Sequence, residues 1–184
     1  MDEQHGILMT PPQYVGTTLW KTKDAGATWL QTSTHCGYEI APATVAIDYA
    51  SADASWTACA GPATDGQEAR EIWKSNWQGS TLTLMSGSQS NGTRIGILPT
   101  EGKLIGLSMT EDGYGWLWTN DQLYATSDSG RTWSPRSPET FVAADIVTHT
   151  DGFAILGNGS TRWVAATFDG GSSWSPRPIK ANGT

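Results

Sequence analysis

An octapeptide that recurs along this 184-residue chain restricts its fold more than any other feature. Its pattern is a hydroxyl residue, any residue, Asp, any residue, Gly, any residue, a hydroxyl residue and Trp. Complete copies stand at Thr22–Trp29, Thr126–Trp133 and Thr167–Trp174. A fourth copy, Ser75–Leu82, keeps its Gly but has Trp in place of the Asp and Leu in place of the final Trp. Such internal repetition indicates one supersecondary unit that is used several times.

Each copy contains the residues of a tight turn between two strands. Asp and Ser side chains accept hydrogen bonds from nearby backbone N–H groups, and Gly adopts a positive φ at no steric cost. The Thr and Trp that follow favour β-strands. We therefore predict structural rather than catalytic roles for the Asp, Gly and Trp positions of the copies, which are Asp24, Gly26, Trp29, Gly79, Asp128, Gly130, Trp133, Asp169, Gly171 and Trp174.

The octapeptides resemble the Asp-box, or BNR, repeats of the sialidase-like and photosystem-assembly-factor-like β-propellers. The resemblance implies that each copy forms the turn between the third and fourth strands of a blade, with its Trp packed into that blade. It also implies that the copies lie on the face away from a sialidase active site. A functional site is therefore expected on the opposite face, where the loops between second and third strands and between blades converge.

The spacing of the copies predicts the architecture. They recur about 40 to 50 residues apart, the period of propeller blades, and short strands separated by turn residues fill the intervals. We predict an all-β chain, a β-propeller of about four four-stranded antiparallel blades with the first incomplete, in one domain 1–184. The expected repeats are approximately 1–34, 44–86, 103–136 and 143–178, and the first strand of the last repeat is expected at Asp145–Thr150.

The number of blades leaves three arrangements open. The chain could be a small four-bladed ring, a fragment of a larger propeller, or one half of a ring completed by a second chain. An open arc leaves strand edges that invite association, so self-association that completes a ring is one expected interaction.

The composition and net charge of the chain restrict the classes of partner and ligand that we expect. With 21 Gly, 10 Trp and only 16% charged residues, the chain favours strands and turns over helices. The net charge of −7 argues against nucleic acid, which requires a basic surface. No stretch approaches the roughly 18 apolar residues of a membrane span. The three His lack ligand spacing and no phosphate-binding motif is present, so neither a metal nor a cofactor is expected.

The two cysteines, Cys36 and Cys59, leave two interpretations open. They could form a disulfide in an exported protein, or they could be two half-buried thiols. The low Lys content and the many Thr, Ser, Asn and Gly residues favour an extracytoplasmic location.

The loops on the face away from the octapeptides supply the candidate binding residues. We predict ligand contacts from six of their side chains: Tyr14, Tyr38, Glu39, Arg70, Asp121 and Arg162. The function that this arrangement favours is a non-catalytic binding or assembly module for a protein or carbohydrate ligand, with rigid blades presenting variable loops.

Two other functions compete with this interpretation. The resemblance allows a glycoside hydrolase of the sialidase-like type, in which Arg70, Arg94 and Arg162 hold a carboxylate and Tyr38 with Glu39 supplies the nucleophile. The family's Arg-Ile-Pro element is absent, because Gly96 follows Arg94 and Ile95. The third function is a purely structural repeat segment of a larger surface protein.

Overall fold

The computed structural model describes residues 4–9, 18–33, 36, 43–51, 54–76, 81–88, 96–158 and 160–177. These residues form sixteen short β-strands and no helix. The strands are arranged in four sheets that follow one another along the chain.

The first two sheets occupy the N-terminal half. Sheet 1 contains β1 (Gly6–Met9), β2 (Thr18–Thr22) and β3 (Leu30–Ser33). Sheet 2 contains β4 (Thr44–Ser51), β5 (Ala54–Ala60), β6 (Arg70–Ser75), β7 (Leu82–Gly87) and β8 (Gly96–Ile97).

The last two sheets share a common plan. Sheet 3 contains β9 (Leu104–Met109), β10 (Gly115–Thr119), β11 (Leu123–Thr126) and β12 (Ser134–Pro135). Sheet 4 contains β13 (Phe141–Ile146), β14 (Gly152–Asn158), β15 (Thr161–Thr167) and β16 (Ser175–Arg177). Each is an antiparallel meander whose outermost strand contains a Pro, a residue that suits an edge because it cannot donate a ladder hydrogen bond.

Sheet 2 has five strands, one more than the four predicted for each blade. The short strand β8 pairs in parallel with β7, with Gly96 opposite Ser86, and adds a fifth strand at the edge. Gly96 is required there, because a Cβ at this position would lie 1.5 Å from the backbone oxygen of Arg131.

The first strand of sheet 4 begins earlier than the sequence predicts. The expected strand was Asp145–Thr150, whereas β13 covers Phe141–Ile146. The chain turns after Ile146, since the N–H groups of Val147 and Thr148 both donate to the carbonyl oxygen of Asp151, at 2.9 and 3.1 Å. The apolar Phe141, which is 2% exposed, anchors the strand from its other end.

The first strands of sheets 2, 3 and 4 lie side by side. Strand β9 packs between β4 and β13. The Met109 N–H donates to Asp48 Oδ2 at 2.6 Å, and the Ser108 hydroxyl donates to Asp145 Oδ1 at 2.9 Å. Burial, with a smaller contribution from Asp145, raises the pKa of the Asp48 carboxyl, although the Met109 N–H opposes the shift. The sheets therefore radiate from a common inner row of strands.

Apolar side chains fill the spaces between successive sheets. Trp56 and Ile72 of sheet 2 pack with Leu117 of sheet 3 in one cluster. Trp116 of sheet 3 packs with Phe141 of sheet 4 in a second cluster. Because buried apolar area stabilises by about 25 cal/mol per Å², these two interfaces hold the sheets together.

Candidate functional site

The three complete octapeptides form the same hydrogen-bonded turn. In the copy of sheet 3, the Thr126 hydroxyl donates to Asp128 Oδ1 at 2.8 Å and accepts from the Gly130 N–H at 3.0 Å. The N–H and hydroxyl of Thr132 donate to the two Asp128 oxygens at 2.8 and 2.7 Å. Equivalent bonds occur in the copies of sheets 1 and 4.

These bonds keep the octapeptide carboxyl groups ionised. The hydroxyl of Thr28 lowers the pKa of Asp24 to about 2, and the hydroxyl of Ser173 does the same for Asp169, also to about 2. Burial would raise the pKa of Asp128, but hydrogen bonds, chiefly from Thr132, outweigh it and lower the value. A general acid needs the opposite shift, so this geometry suits a turn rather than acid catalysis.

The tryptophans of the octapeptides in sheets 3 and 4 contact the sheet that precedes each of them. Trp133 Nε1–H donates to Gly130 O at 3.0 Å and to Ser86 Oγ of sheet 2 at 3.4 Å. Trp174 packs edge-on against Trp116 of sheet 3 and against Phe141, with ring centroids 5.4 Å apart in both pairs. The centre of the incomplete copy, with Gly79, lies outside the described residues.

The opposite end of sheets 2 and 3, which we call the loop end, is built around Arg70 at the start of β6. Its Nη1 donates to the carbonyl oxygen of Pro99 at 2.6 Å. Its Nη2 donates to the carbonyl oxygen of Glu101 at 3.1 Å and also to that of Gly102. The side chain therefore ties sheet 2 to the 98–103 connection that leads into sheet 3.

A buried carboxylate completes this arrangement. Glu68 Oε2 lies 3.3 Å from Arg70 Nη2 and accepts the Leu104 N–H at 2.8 Å. Glu68 and Arg70 are 2% and 1% exposed. Burial lowers the pKa of the Arg70 guanidinium, and Glu68 opposes that shift. We call these two side chains with the 98–103 connection the Arg70 clamp.

A polar pocket of about 430 Å³ opens beside the Arg70 clamp. Its walls are mostly uncharged and come from the β5–β6 loop and from the flanking connections: Pro62, Thr64, Asp65, Gln67, Glu68, Ala69, Ser88 and Thr100. The loop is braced by backbone bonds, because Thr64 and Gln67 exchange N–H···O contacts of 2.8 and 3.0 Å and the Glu68 N–H donates to Thr100 O at 2.9 Å. The pocket is therefore held in shape by its own backbone.

The β10–β11 turn reaches the same region. Gly102 adjoins this turn so closely that a Cβ there would lie 3.0 Å from Asp121 Oδ2. Burial, followed by the nearby Glu101, raises the pKa of the Tyr124 hydroxyl, while Arg70 lowers it. The structure thus brings Arg70 and Asp121 close to one another around Gly102 and Tyr124.

The predicted contact residues differ in whether the structure describes them and where it places them. Tyr14, Tyr38 and Glu39 lie outside the described residues, as does Arg94 of the hydrolase interpretation. Asp121 and Arg162 are exposed at the loop end, on sheets 3 and 4 respectively.

Arg70 requires a correction. The sequence predicts a surface contact, but the side chain is 1% exposed and its terminal nitrogens bind protein carbonyls and Glu68. The physical reason is that the first half of β6 is covered on both faces, with Glu71 2% and Trp73 8% exposed on the other face, so no position there is open to solvent. Arg70 lies two residues before the fully buried Ile72 and shares its face. Its guanidinium therefore shapes the pocket from beneath, and the arginine clamp of the sialidase interpretation loses this member.

Sequence reasoning missed the partners of Arg70. Glu68 and the 98–103 connection carry no motif, and the carbonyl oxygens of Pro99 and Glu101 that Arg70 binds are 29 and 31 positions away in the chain. One local signal points to this burial. Arg70 lies two residues before Ile72 in a strand, so the two side chains share one face, and that face is apolar at Ile72.

The two cysteines are joined at the loop end of sheets 1 and 2. The Cys36 and Cys59 sulfurs lie 2.02 Å apart, and the Cα atoms are separated by 5.6 Å. Cys59 is fully buried at the end of β5 and packs with Trp73. The disulfide therefore attaches the segment after sheet 1 to sheet 2, close to the β5–β6 loop.

A smaller cavity lies at the octapeptide end, between sheets 3 and 4. It has a volume of about 240 Å³ and is lined by Tyr114, His149 and Arg136 together with octapeptide hydroxyls. The rings of Tyr114 and His149 are tilted against each other at a centroid distance of 5.3 Å.

Other classes of site have no support in the described ranges. Among those residues, no group of three or more His, Cys, Asp or Glu side chains is placed to hold a metal ion. The described part of the chain also contains no helix that is long and apolar enough to cross a membrane.

Comparison with known proteins identifies solved structures with a similar fold. No protein-family model matches the sequence, and no curated protein matches it. A protein of unknown function from Dyadobacter fermentans has a similar structure, with a TM-score of 0.58 and 16% identity over 91% of this chain and 58% of that one. The GH74 xyloglucanase from Xanthomonas campestris gives a TM-score of 0.51 and 14% identity over 96% of this chain and 30% of that one.

A third similar structure is YCF48 bound to D1 peptide, with a TM-score of 0.47 and 15% identity over 95% of this chain and 79% of that one. The chain thus spans little more than half of the Dyadobacter protein and under a third of the xyloglucanase. Together with the four successive sheets, the likeness shows an all-β fold with the architecture of part of a β-propeller.

Proposed function

We propose that this chain is a non-catalytic binding or assembly module, built on Asp-box β-propeller sheets, whose loop-end pocket binds a polar segment of a protein or a glycan. The observation that carries the proposal is the pocket of about 430 Å³ beside the Arg70 clamp. It lies at the end away from the octapeptides, where the resemblance leads us to expect a ligand.

The chemistry of the walls favours this class of ligand. Thr64, Gln67, Ser88 and Thr100 offer hydroxyl and amide groups that both donate and accept hydrogen bonds, as peptide groups and sugar hydroxyls do. Because the Arg70 clamp and the backbone bonds of the loop already hold the walls, a ligand loses less affinity to ordering of the protein.

The same walls argue for binding over glycoside hydrolysis. Two carboxyl groups are needed for that reaction, and Asp65 and Glu68 are the carboxylates among the described lining residues. Glu68 is buried and already bound to the Leu104 N–H and to Arg70. This leaves Asp65 alone, so a sialidase-like hydrolase is the weaker alternative.

The Cys36–Cys59 disulfide supports an extracytoplasmic location, since such bonds persist in oxidising compartments. A module of this kind would meet its protein or glycan ligand outside the cytoplasm. A purely structural segment of a larger surface protein remains the second alternative, and it differs from the proposal in needing no ligand at the pocket.

The test uses the purified chain against immobilised glycan and peptide libraries, with each positive ligand then titrated by calorimetry. Asp65→Asn and Gln67→Ala alter exposed pocket groups. Gln31→Ala, an exposed Gln on sheet 1, is the matched control. We expect at least one pocket variant to weaken binding about tenfold or more, which corresponds to about 1.4 kcal/mol, and the control to bind normally.

Three results would contradict the proposal. Equal affinity of wild type and both pocket variants would move the ligand to another surface. Turnover of fluorogenic sialosides or other glycosides that Asp65→Asn abolishes would make the chain a hydrolase. The absence of any ligand across both libraries would favour the structural segment.

A further inference from the structure

One oxygen of the buried Glu68 carboxylate receives no donor from the described part of the chain. Glu68 lines the loop-end pocket, although its side chain is only 2% exposed. Both of its bonds, from the Leu104 N–H at 2.8 Å and from Arg70 Nη2 at 3.3 Å, end on Oε2. Each oxygen of a carboxylate accepts hydrogen bonds, so Oε1 is the oxygen that remains for an occupant of the pocket.

Two exposed carboxylates surround the same pocket. Asp65 is one of its lining residues. Glu101 lies at the rim, because its backbone forms an antiparallel bridge with the backbone of Gln67, which also lines the pocket. Within the described ranges, neither the Asp65 nor the Glu101 side chain has a hydrogen bond or an ion pair. Their negative charges are therefore available to a ligand.

The cation of the Arg70 clamp does not neutralise these two carboxylates. Arg70 is 1% exposed, and its terminal nitrogens are bound to Glu68 and to carbonyl oxygens of the 98–103 connection. The described lining residues include two acids, Asp65 and Glu68, and no base. A concave wall that carries one sign of charge concentrates ligands of the opposite sign, so the pocket favours a cation.

We propose that the ligand of the loop-end pocket inserts a cationic side chain, Lys or Arg, of a protein segment. The cation donates to Glu68 Oε1 and is attracted by Asp65 and Glu101. This inference rests on the proposed function, because it specifies what the same pocket binds. Lys and Arg are donors without acceptors, and hydrogen bonds between ionised groups are about twice as strong as neutral ones. A wall of unused carboxylate oxygens is the complement of such a group.

The pocket favours a protein segment over a glycan as the source of the cation. None of the described lining residues is aromatic, so a sugar ring would find no aromatic face to stack on. Lys and Arg are abundant on protein surfaces, whereas most sugars carry no positive charge. The Thr64 hydroxyl and the Gln67 amide both donate and accept hydrogen bonds, and they suit the peptide groups beside a basic side chain.

The first test screens the purified chain against randomised heptapeptides that are acetylated and amidated, so that their termini carry no charge. Chitosan oligosaccharides are screened in parallel as a source of amine cations on sugars. We expect the tightest heptapeptides to contain Lys or Arg. Replacing that residue by Gln in a resynthesised peptide should raise the dissociation constant about tenfold or more, as measured by calorimetry.

The second test changes the charges of the pocket. Asp65→Asn and Glu101→Gln should each weaken binding of the basic peptide. Glu139→Gln is the matched control, because Glu139 is an exposed carboxylate in the connection between sheets 3 and 4 and is not among the described lining residues. We expect the control to bind within about twofold of the wild type, and Asp65→Asn to lose about tenfold.

A charge exchange locates the cation of the ligand. Asp65→Lys should reject the basic peptide and accept the same peptide with Glu in place of its basic residue. Glu68→Gln replaces one carboxylate oxygen by an amide donor and should also weaken the basic peptide. Thermal unfolding shows whether each variant is folded. If Glu68→Gln is not folded, the exchange at the exposed Asp65 still decides.

The outcomes separate this inference from the function on which it rests. Peptides that tolerate Gln in place of their basic residue, yet bind Gln67→Ala more weakly than the wild type, would overturn the cationic ligand and leave the binding module in place. Tighter binding of chitosan oligosaccharides than of any peptide would overturn the protein segment. No ligand at all, or equal affinity for wild type, Asp65→Asn and Gln67→Ala, would overturn both.

Discussion

The octapeptide end and the loop end of the sheets are stabilised by different kinds of contact. At the octapeptide end, the bonds of Asp128 to Thr126 and Thr132 join residues two and four positions apart. At the loop end, Arg70 reaches Pro99, 29 positions away, and Glu68 reaches Leu104, 36 positions away. The first kind recurs in three sheets, and the second occurs where sheet 2 meets sheet 3.

The difference has a physical origin. A turn whose partners lie within eight residues needs no neighbouring sheet, so the same sequence can form it in every repeat. The Arg70 clamp needs a buried cation, a buried carboxylate and carbonyls from another sheet, all in place together. Repetition therefore supplies the framework, and the unrepeated long-range contacts supply the site.

The largest expected effect comes from breaking the Arg70 clamp. Arg70→Ala leaves Glu68 buried without its cation and three carbonyl oxygens without their donor. Removing one member of a buried ion pair costs about 3 to 5 kcal/mol. Urea unfolding should show a loss of that size, and any ligand of the neighbouring pocket should bind less tightly.

Arg162→Ala is the matched control for that substitution. Both arginines are at the loop end, but Arg162 is exposed, and surface substitutions usually change stability by less than about 0.5 kcal/mol. Similar unfolding midpoints for the two variants would contradict the assignment of Arg70 as a structural clamp.

The next effect comes from the disulfide at the loop end. The double variant Cys36→Ser with Cys59→Ser removes a crosslink between residues 23 positions apart. Loss of a crosslink of this size costs about 2 to 4 kcal/mol, largely because the unfolded chain gains freedom. Urea unfolding of the wild type with and without a reducing agent should differ by the same amount. The double variant should be insensitive to the reductant, and a wild type equally insensitive would argue against the bond.

The smallest effect is expected at the octapeptide end and depends on pH. The folded-state pKa of Asp169 is about 2, below its ordinary value of 3.8. A lowered carboxyl pKa stabilises the fold above the ordinary value, and this stabilisation disappears as the pH falls towards the folded value. The melting temperature of the wild type should therefore fall as the pH is lowered from about 4 to about 2.

Asp169→Asn removes this ionisable group and should make the melting temperature less dependent on pH in that window, with a lower value than wild type at neutral pH. Asp24→Asn is expected to behave in the same way, because Asp24 accepts the equivalent hydrogen bonds from Thr22 and Thr28 and also has a pKa of about 2. Parallel pH profiles for wild type and both variants would show that these carboxylates do not contribute through their ionised form.

Particular residues show how far the sequence could lead. The octapeptides predicted an all-β propeller architecture because their turn chemistry is contained in the repeat itself. The start of β13 was misplaced, since the turn after Ile146 closes onto Asp151 and pulls Phe141 into the strand. The sequence predicts a ligand contact at Arg70, whereas the structure buries it, because the three carbonyl oxygens that surround it belong to residues 29 to 32 positions away in the chain.

The sequence by itself determined the repeated turns, and with them the succession of sheets, because each turn is stabilised by bonds between residues two to four positions apart. Only the tertiary structure decided which end holds a polar pocket and how the octapeptides of sheets 3 and 4 pack onto the sheet before each of them. Those features depend on how Arg70 meets the 98–103 connection and on whether an octapeptide packs against a given strand. Contacts between separate sheets are set by the packing of whole surfaces, which no short segment encodes.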